Sequence, residues 1–196
     1  MKKLLVIGAA LWATSGLADD IRLGQPAYGG SGCPQGSASA VLSPDRKALS
    51  ILFDEYSAEA GYTTGRTVDR KSCNIAVPVH VPQGLSISLI AVDYRGFNAI
   101  PIGGSSRLSV DYFFAGQRGP HYERDFRGPL TQDFLASNNL TVGANVWSPC
   151  GQDTNLRVNS SMMAQTNARN EQTVAQLDSA DIKAGIIYQL QWRTCR

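Results

Sequence analysis

Apolar and polar side chains alternate one by one through block after block of this sequence, and that spacing admits little besides β-structure. From Cys73 to Val81 the positions Cys73, Ile75, Val77, Val79 and Val81 form one side, while Asn74, Ala76, Pro78 and His80 form the other. Successive side chains of a strand point to opposite faces, so the block reads as a strand with one buried side. Pro78 has no N–H to give to a ladder, which places this strand at a sheet edge. The same rule sends Leu49, Ile51 and Phe53 inward, then Leu108, Val110, Tyr112 and Phe114. Leu140, Val142, Ala144 and Val146 share a face, as do Ile186, Tyr188, Leu190 and Trp192, with Gln189, Gln191 and Arg193 turned to water. Between Leu85 and Tyr94 the alternation breaks, because Ile90, Ala91 and Val92 run together. That break reads as a central strand covered on both faces beyond Leu89, or as a bulge there.

Turn signals separate the blocks, among them Pro82-Gln83-Gly84, Gly103-Gly104, Arg118-Gly119-Pro120 and Ser148-Pro149-Cys150-Gly151. About eight or nine short strands follow from this spacing, an all-β chain of the antiparallel β-sandwich type. A short helix fits only at Leu130 to Ala136 or in the Asn167 to Leu177 region, and the second is polar enough to read as a loop.

The first residues set the compartment. Lys2 and Lys3 precede an apolar run from Leu4 to Trp12, and small residues stand at Gly16 and Ala18. This is the form of a secretory signal peptide cleaved after Ala18, and the run is shorter than the roughly 20 apolar residues that span a bilayer. The expected organisation is a leader over 1–18, a Gly-rich arm with little regular structure over 19–32 and one β-sandwich domain over 33–196. The expected destination is extracellular or periplasmic, without membrane insertion.

Cys33, Cys73, Cys150 and Cys195 all follow the leader, an even number in an oxidising compartment. Three pairings are open. Cys33 with Cys73 and Cys150 with Cys195 is favoured, because each bridge then closes a loop of similar length within one half of the chain. No two cysteines have the close spacing of a zinc site, and the sequence calls for no metal and no cofactor.

Removing Lys2 and Lys3 takes 18 basic residues to 16, against 16 acidic ones. A neutral chain lacks the basic face that phosphate neutralisation requires, so no nucleic-acid partner is expected.

Several short motifs occur in a fixed order: Gly32-Cys33-Pro34, Phe53-Asp54, Arg70-Lys71-Ser72-Cys73, Val81-Pro82-Gln83-Gly84, Asp93-Tyr94-Arg95-Gly96, Trp147-Ser148-Pro149-Cys150-Gly151, Asp178-Ser179 and Trp192-Arg193-Thr194-Cys195. Taken together they resemble the secreted family of bacteria and fungi catalogued as domain of unknown function 4360. The resemblance implies export, a β-rich domain and paired cysteines. It carries no established activity and supplies no catalytic residues.

Chemistry has few candidates. The G-x-S-x-G nucleophile elbow is absent, and a general base must be His80 or His121. His80 falls on the outward face of its strand. His121 follows Gly119-Pro120 in a polar stretch with Arg118, Tyr122, Glu123, Arg124 and Asp125, read as a candidate binding loop. Adjacent Asp54 and Glu55 cannot face each other across a cleft as glycosidase acids do, and Asp178 with Asp181 lack the ligand density of a calcium loop. Trp147 and Phe113 stand out of phase with their apolar neighbours, either exposed, as aromatics that stack on sugar rings or a protein partner are, or buried under loops, the commoner arrangement in a sandwich.

The expected function is a secreted, non-enzymatic β-sandwich that binds a surface polysaccharide or a protein partner. One alternative is a hydrolase using His121 with Glu123 or Asp125. Another is a protease inhibitor presenting the segment Gly61 to Arg70.

Overall fold

The computed structural model describes residues 21–44, 48–140, 146–177 and 186–195. The expected leader, Val142, Ala144, Asp178 and Asp181 lie outside the described residues. Among these there are thirteen strands and no helix. The N-terminal arm holds β1 (Arg22–Leu23) and β2 (Ala27–Gly29), followed by β3 (Ala38–Leu42), β4 (Ala48–Phe53) and β5 (Ser57–Ala60). Three long strands come next, β6 (Val68–His80), β7 (Leu85–Ile100) and β8 (Ser105–Phe114), then β9 (His121–Arg127) and β10 (Leu130–Asn139). After these come β11 (Thr154–Gln165), β12 (Thr173–Gln176) and β13 (Ile186–Thr194).

The strands form two antiparallel sheets. The six-stranded sheet runs β1-β6-β11-β8-β9, with β2 beside β1 along β6. In the seven-stranded sheet β7 is the spine: β13 and β12 lie end to end along one side of it and β10 along the other. β4 and β3 extend the sheet beyond β13, and β5 extends it beyond β12.

The alternation decides what lies between the sheets. Ile75, Val77 and Val79 of β6, Leu108, Val110 and Phe114 of β8 and Ile51 and Phe53 of β4 are all buried in one core. Fully burying each such side chain contributes about 1.5–3 kcal/mol, which fixes the register because a one-residue slip would turn the whole set to solvent. Aromatic pairs join the sheets at their β9 and β10 margins. Tyr94 of β7 stacks on Tyr122 of β9 with centroids 5.8 Å apart, and Phe126 of β9 lies 4.6 Å from Phe134 of β10.

The broken alternation in β7 is a bulge. Gln189 pairs with Ala91 and Leu190 with Leu89, so Ile90 is the extra residue. The buried positions are Ile87 and Leu89 before it and Val92 and Tyr94 after it. Double coverage occurs on the near side of the bulge rather than beyond Leu89. Ser86 and Ser88 are buried there, where the 146–148 segment pairs alongside β7. Trp147 bridges Ser88, the Ile87 N–H donates to Ser148 Oγ at 3.0 Å, and Ser86 Oγ donates to the Ser148 carbonyl at 2.7 Å.

Several expectations are corrected. β6 is not an edge, because the arm pairs along it as β1 and β2 instead of staying irregular. Pro78 is accommodated in the gap between those two short strands, where its carbonyl accepts from the Gly24 N–H at 2.8 Å and its missing N–H is not required. Leu130–Asn139 and Thr173–Gln176 are strands, not a helix and a loop, since both complete the β7 ladder. Trp192 pairs opposite Ile87 near the end of β13 and stays 43 % exposed instead of entering the core. The surplus over eight or nine strands comes largely from pieces of two to four residues, namely β1, β2, β5 and β12.

Both favoured disulfides are present. Cys33–Cys73 and Cys150–Cys195 have Cα separations of 5.3 and 6.0 Å, and there are no free cysteines among the described residues. The first ties the segment after the arm to β6, and the second ties the Trp147–Gly151 segment to the residue after β13.

Candidate functional site

The outer side of the six-stranded sheet carries the side chains that the core does not take. Register places them in rows across β6, β11, β8 and β9: Asn74, Asn159, Asp111 and His121; then Ser72, Ser161, Ser109 and Glu123. The next rows are Arg70, Met163, Arg107 and Asp125, then Val68, Gln165, Ser105 and Arg127. Neighbouring strands lie about 4.8 Å apart, so each row is a line of groups within reach of one extended ligand.

The expected binding loop is in large part a strand. Arg118 lies in the turn after β8, but His121, Tyr122, Glu123 and Arg124 belong to β9, paired with β8 from Asp111↔His121 to Ser105↔Arg127. The sequence Gly119-Pro120 suggests a continuing loop. Instead it closes a hairpin in which the Tyr112 N–H donates to the Pro120 carbonyl. Strand pairing then separates the candidates. His121 and Glu123 face outward, whereas Tyr122 turns in to stack on Tyr94. Arg124, at the sheet margin, sits 5.8 Å from the Phe126 ring centroid.

A ladder of charge runs along β8 and β9. His121 Nδ1 is 2.8 Å from Asp111 Oδ1, and its Nε2 is 3.8 Å from Glu123 Oε2. Arg107 donates from Nε to Asp125 Oδ1 at 2.6 Å and from Nη2 to Oδ2 at 3.2 Å, and its Nη1 is 3.2 Å from Glu123 Oε1. All five side chains are about half exposed, and such pairs contribute no more than about 1 kcal/mol each to stability. Their consequence is to hold the surface groups in fixed positions. His80 is also paired rather than merely solvated, with Nδ1 2.7 Å from Asp153 Oδ1.

An open cleft of about 430 Å³ lies at the Ser105 end of this face. Ser105, Arg107, Asp125, Arg127, Met163 and Gln165 line it, and glycines 103, 104 and 128 leave one wall without side chains. Gly128 is required by packing, since a Cβ there would meet the Pro101 carbonyl oxygen at 1.8 Å. The size falls within the range of small-ligand sites. Arg107, Arg127, Ser105, Met163 and Gln165 escape a motif search because they are scattered over three strands. The signal was present in the polar positions between Leu108, Val110 and Tyr112 and in the alternation of Asn155, Arg157 and Asn159 with Leu156 and Val158.

Other candidates fall elsewhere. Trp147 lies under Arg193, whose guanidinium carbon is 4.0 Å from the ring centroid, and Phe113 is half-buried on the outer face of β8. Gly61 to Arg70 is a tight turn closed by a Gly61↔Arg66 bridge and continuing into β6, with Thr63 donating to Gln172. No group of His, Cys, Asp and Glu among the described residues has the arrangement of a metal site.

The chain resembles known proteins at three levels. A solved structure, TmCBM61 in complex with β-1,4-galactotriose, aligns over 86 % of this chain and 88 % of its own, at 10 % identity and a TM-score of 0.33. An uncharacterized secreted protein of Arthroderma benhamiae is 31 % identical over 178 residues, covering 90 % of this chain and 73 % of that protein. The family model described as a domain of unknown function, DUF4360, matches residues 19–195. The chain is therefore a member of the DUF4360 family.

Proposed function

We propose that this protein is exported and acts outside the cytoplasm as a non-enzymatic module that binds a polysaccharide across the outer face of its six-stranded sheet. Export is supported by the leader-like first 18 residues, by two disulfides that only an oxidising compartment maintains, and by the secreted relative. The observation that carries the binding reading is the outer face itself. Short hydroxyl and amide side chains stand in register across three strands, β6, β11 and β8, flanked by the charged row of β9, and lead into a cleft of about 430 Å³. Sugar hydroxyls need such alternating donors and acceptors, and a rigid sheet presents them at little cost in conformational entropy. The half-buried Phe113 and Met163 add apolar surface of the kind a pyranose ring covers.

The hydrolase alternative rests on the Asp111–His121 contact. It has the orienting acid and the base, but among the described residues both ring nitrogens of His121 face carboxylates and neither meets a nucleophile. A glycan array with the protein beginning at Asp19 tests the proposal, and binding without turnover is expected. Silence across the array contradicts it. So does hydrolysis of a bound glycan that disappears in His121→Ala.

A further inference from the structure

The cleft has an imbalance of charge. Arg107 and Arg127 line it, and Asp125 is its one acid among the described residues. Asp125 already has both oxygens on Arg107, and the third nitrogen of that guanidinium faces Glu123. Arg127 is different. Among the described residues no carboxylate, hydrogen-bonding side chain or aromatic ring engages its guanidinium, and the residue is exposed. The next two positions in its row are Ser105 and Gln165, a hydroxyl and an amide lining the same cleft. Farther along the face Arg157 is likewise exposed and without a side-chain partner among the described residues, and the side-chain partner of Arg70 is the Ser161 hydroxyl, not an acid. The acids of this face are thus spent on Arg107 and His121, while among the described residues Arg127 and Arg157 meet none.

A guanidinium is planar and offers parallel N–H donors that match a carboxylate two to two. Held at the end of a face of hydroxyls and amides, it selects a ligand with both features, acid and polyol. We propose that the glycan bound here carries carboxylates, as a chain of uronic acid units does, and that one carboxylate docks on Arg127. Ser105 and Gln165 then hydrogen-bond the hydroxyls of the same unit. This inference rests on the glycan-binding reading above and names its substrate class.

The test is calorimetric titration of the mature protein with oligogalacturonate and with its methyl ester, in which each carboxylate charge is replaced by a neutral ester methyl. A charge-assisted hydrogen bond contributes about 1.5–3 kcal/mol, so the acid form should bind about tenfold or more tightly than the ester. The preference should shrink as salt is raised. Arg127→Gln should abolish the preference, bringing the acid form down to the level of the ester, with the melting temperature unchanged. Arg127→Lys, a point charge without the fork, should keep part of it. Equal binding of acid and ester, a preference that survives Arg127→Gln, or an array whose hits are all neutral glycans overturns the carboxylate assignment while leaving glycan binding intact. Failure of every glycan to bind removes both.

Discussion

Tyr56, Tyr94 and Tyr112 place three phenol hydroxyls in a core that is otherwise almost wholly apolar. Each is partnered: Tyr56 with Ser160 at 3.0 Å across the two sheets, and Tyr94 and Tyr112 with each other. Burial dominates their titration and pushes Tyr56 and Tyr112 well above the usual tyrosine range, outweighing their hydrogen bonds. A phenol whose folded value is raised stays neutral while the unfolded chain ionises near its ordinary value of about 10. The contribution is therefore complete below about pH 10 and declines as pH rises, by about 1.4 kcal/mol per pH unit for each group. Urea unfolding should show a stability flat on this account up to about pH 10 and falling steeply above it. Tyr56→Phe should lose about 1 kcal/mol at pH 8 through the Ser160 bond and flatten the alkaline fall. An unchanged alkaline slope in that variant contradicts the assignment. The inward positions of Ile75, Leu108 and Tyr112 were legible in the sequence because a period of two needs only local information. That Arg107 would take both oxygens of Asp125 while Arg127 meets no acid among the described residues was not, since it depends on which strands become neighbours.

At the level of elements, β7 organises the seven-stranded sheet, and each disulfide ties down a segment that lies outside the strands. Cys73 lies in β6 but Cys33 lies in the turn-rich stretch before β3, and Cys150 lies in the turn after Trp147. The bridges span 40 and 45 residues, for which chain entropy gives about 4 kcal/mol each as an upper figure. Cys150→Ser with Cys195→Ser should lower the unfolding free energy by up to about that amount and should loosen the Ser86–Ser148 contacts first. Hydrogen exchange at Ile87 and Ser148, whose N–H groups bond across this junction, would show it. Exchange unchanged at both contradicts the role given to the bridge. The broken run at Ile90 admitted the bulge as one of two readings, and similar loop lengths favoured the pairing that is found. β10 and β12 were obscured because their outer positions, such as Asp133, Ser137 and Gln176, dilute the apolar pattern, and the ladder to β7 decides their state instead.

For the whole molecule, the two faces of the six-stranded sheet divide the work. One is committed to the core. The other is a polar platform with a cleft at one end, and little in its composition is needed for folding, because exposed ion pairs and surface hydroxyls contribute marginally to stability. Sequence patterns foresaw a sheet with a wet face but not which strands would supply it, since β6, β8, β9 and β11 come from four separated stretches of chain. Backbone ¹H–¹⁵N shift mapping during titration with a carboxylate-bearing oligosaccharide tests the location of binding most directly. Perturbations concentrated at residues 103–107, 125–128 and 161–165 are predicted. Perturbations confined to the seven-stranded sheet, around Arg95, Leu135 or Trp192, would place binding on the opposite side of the molecule and contradict it.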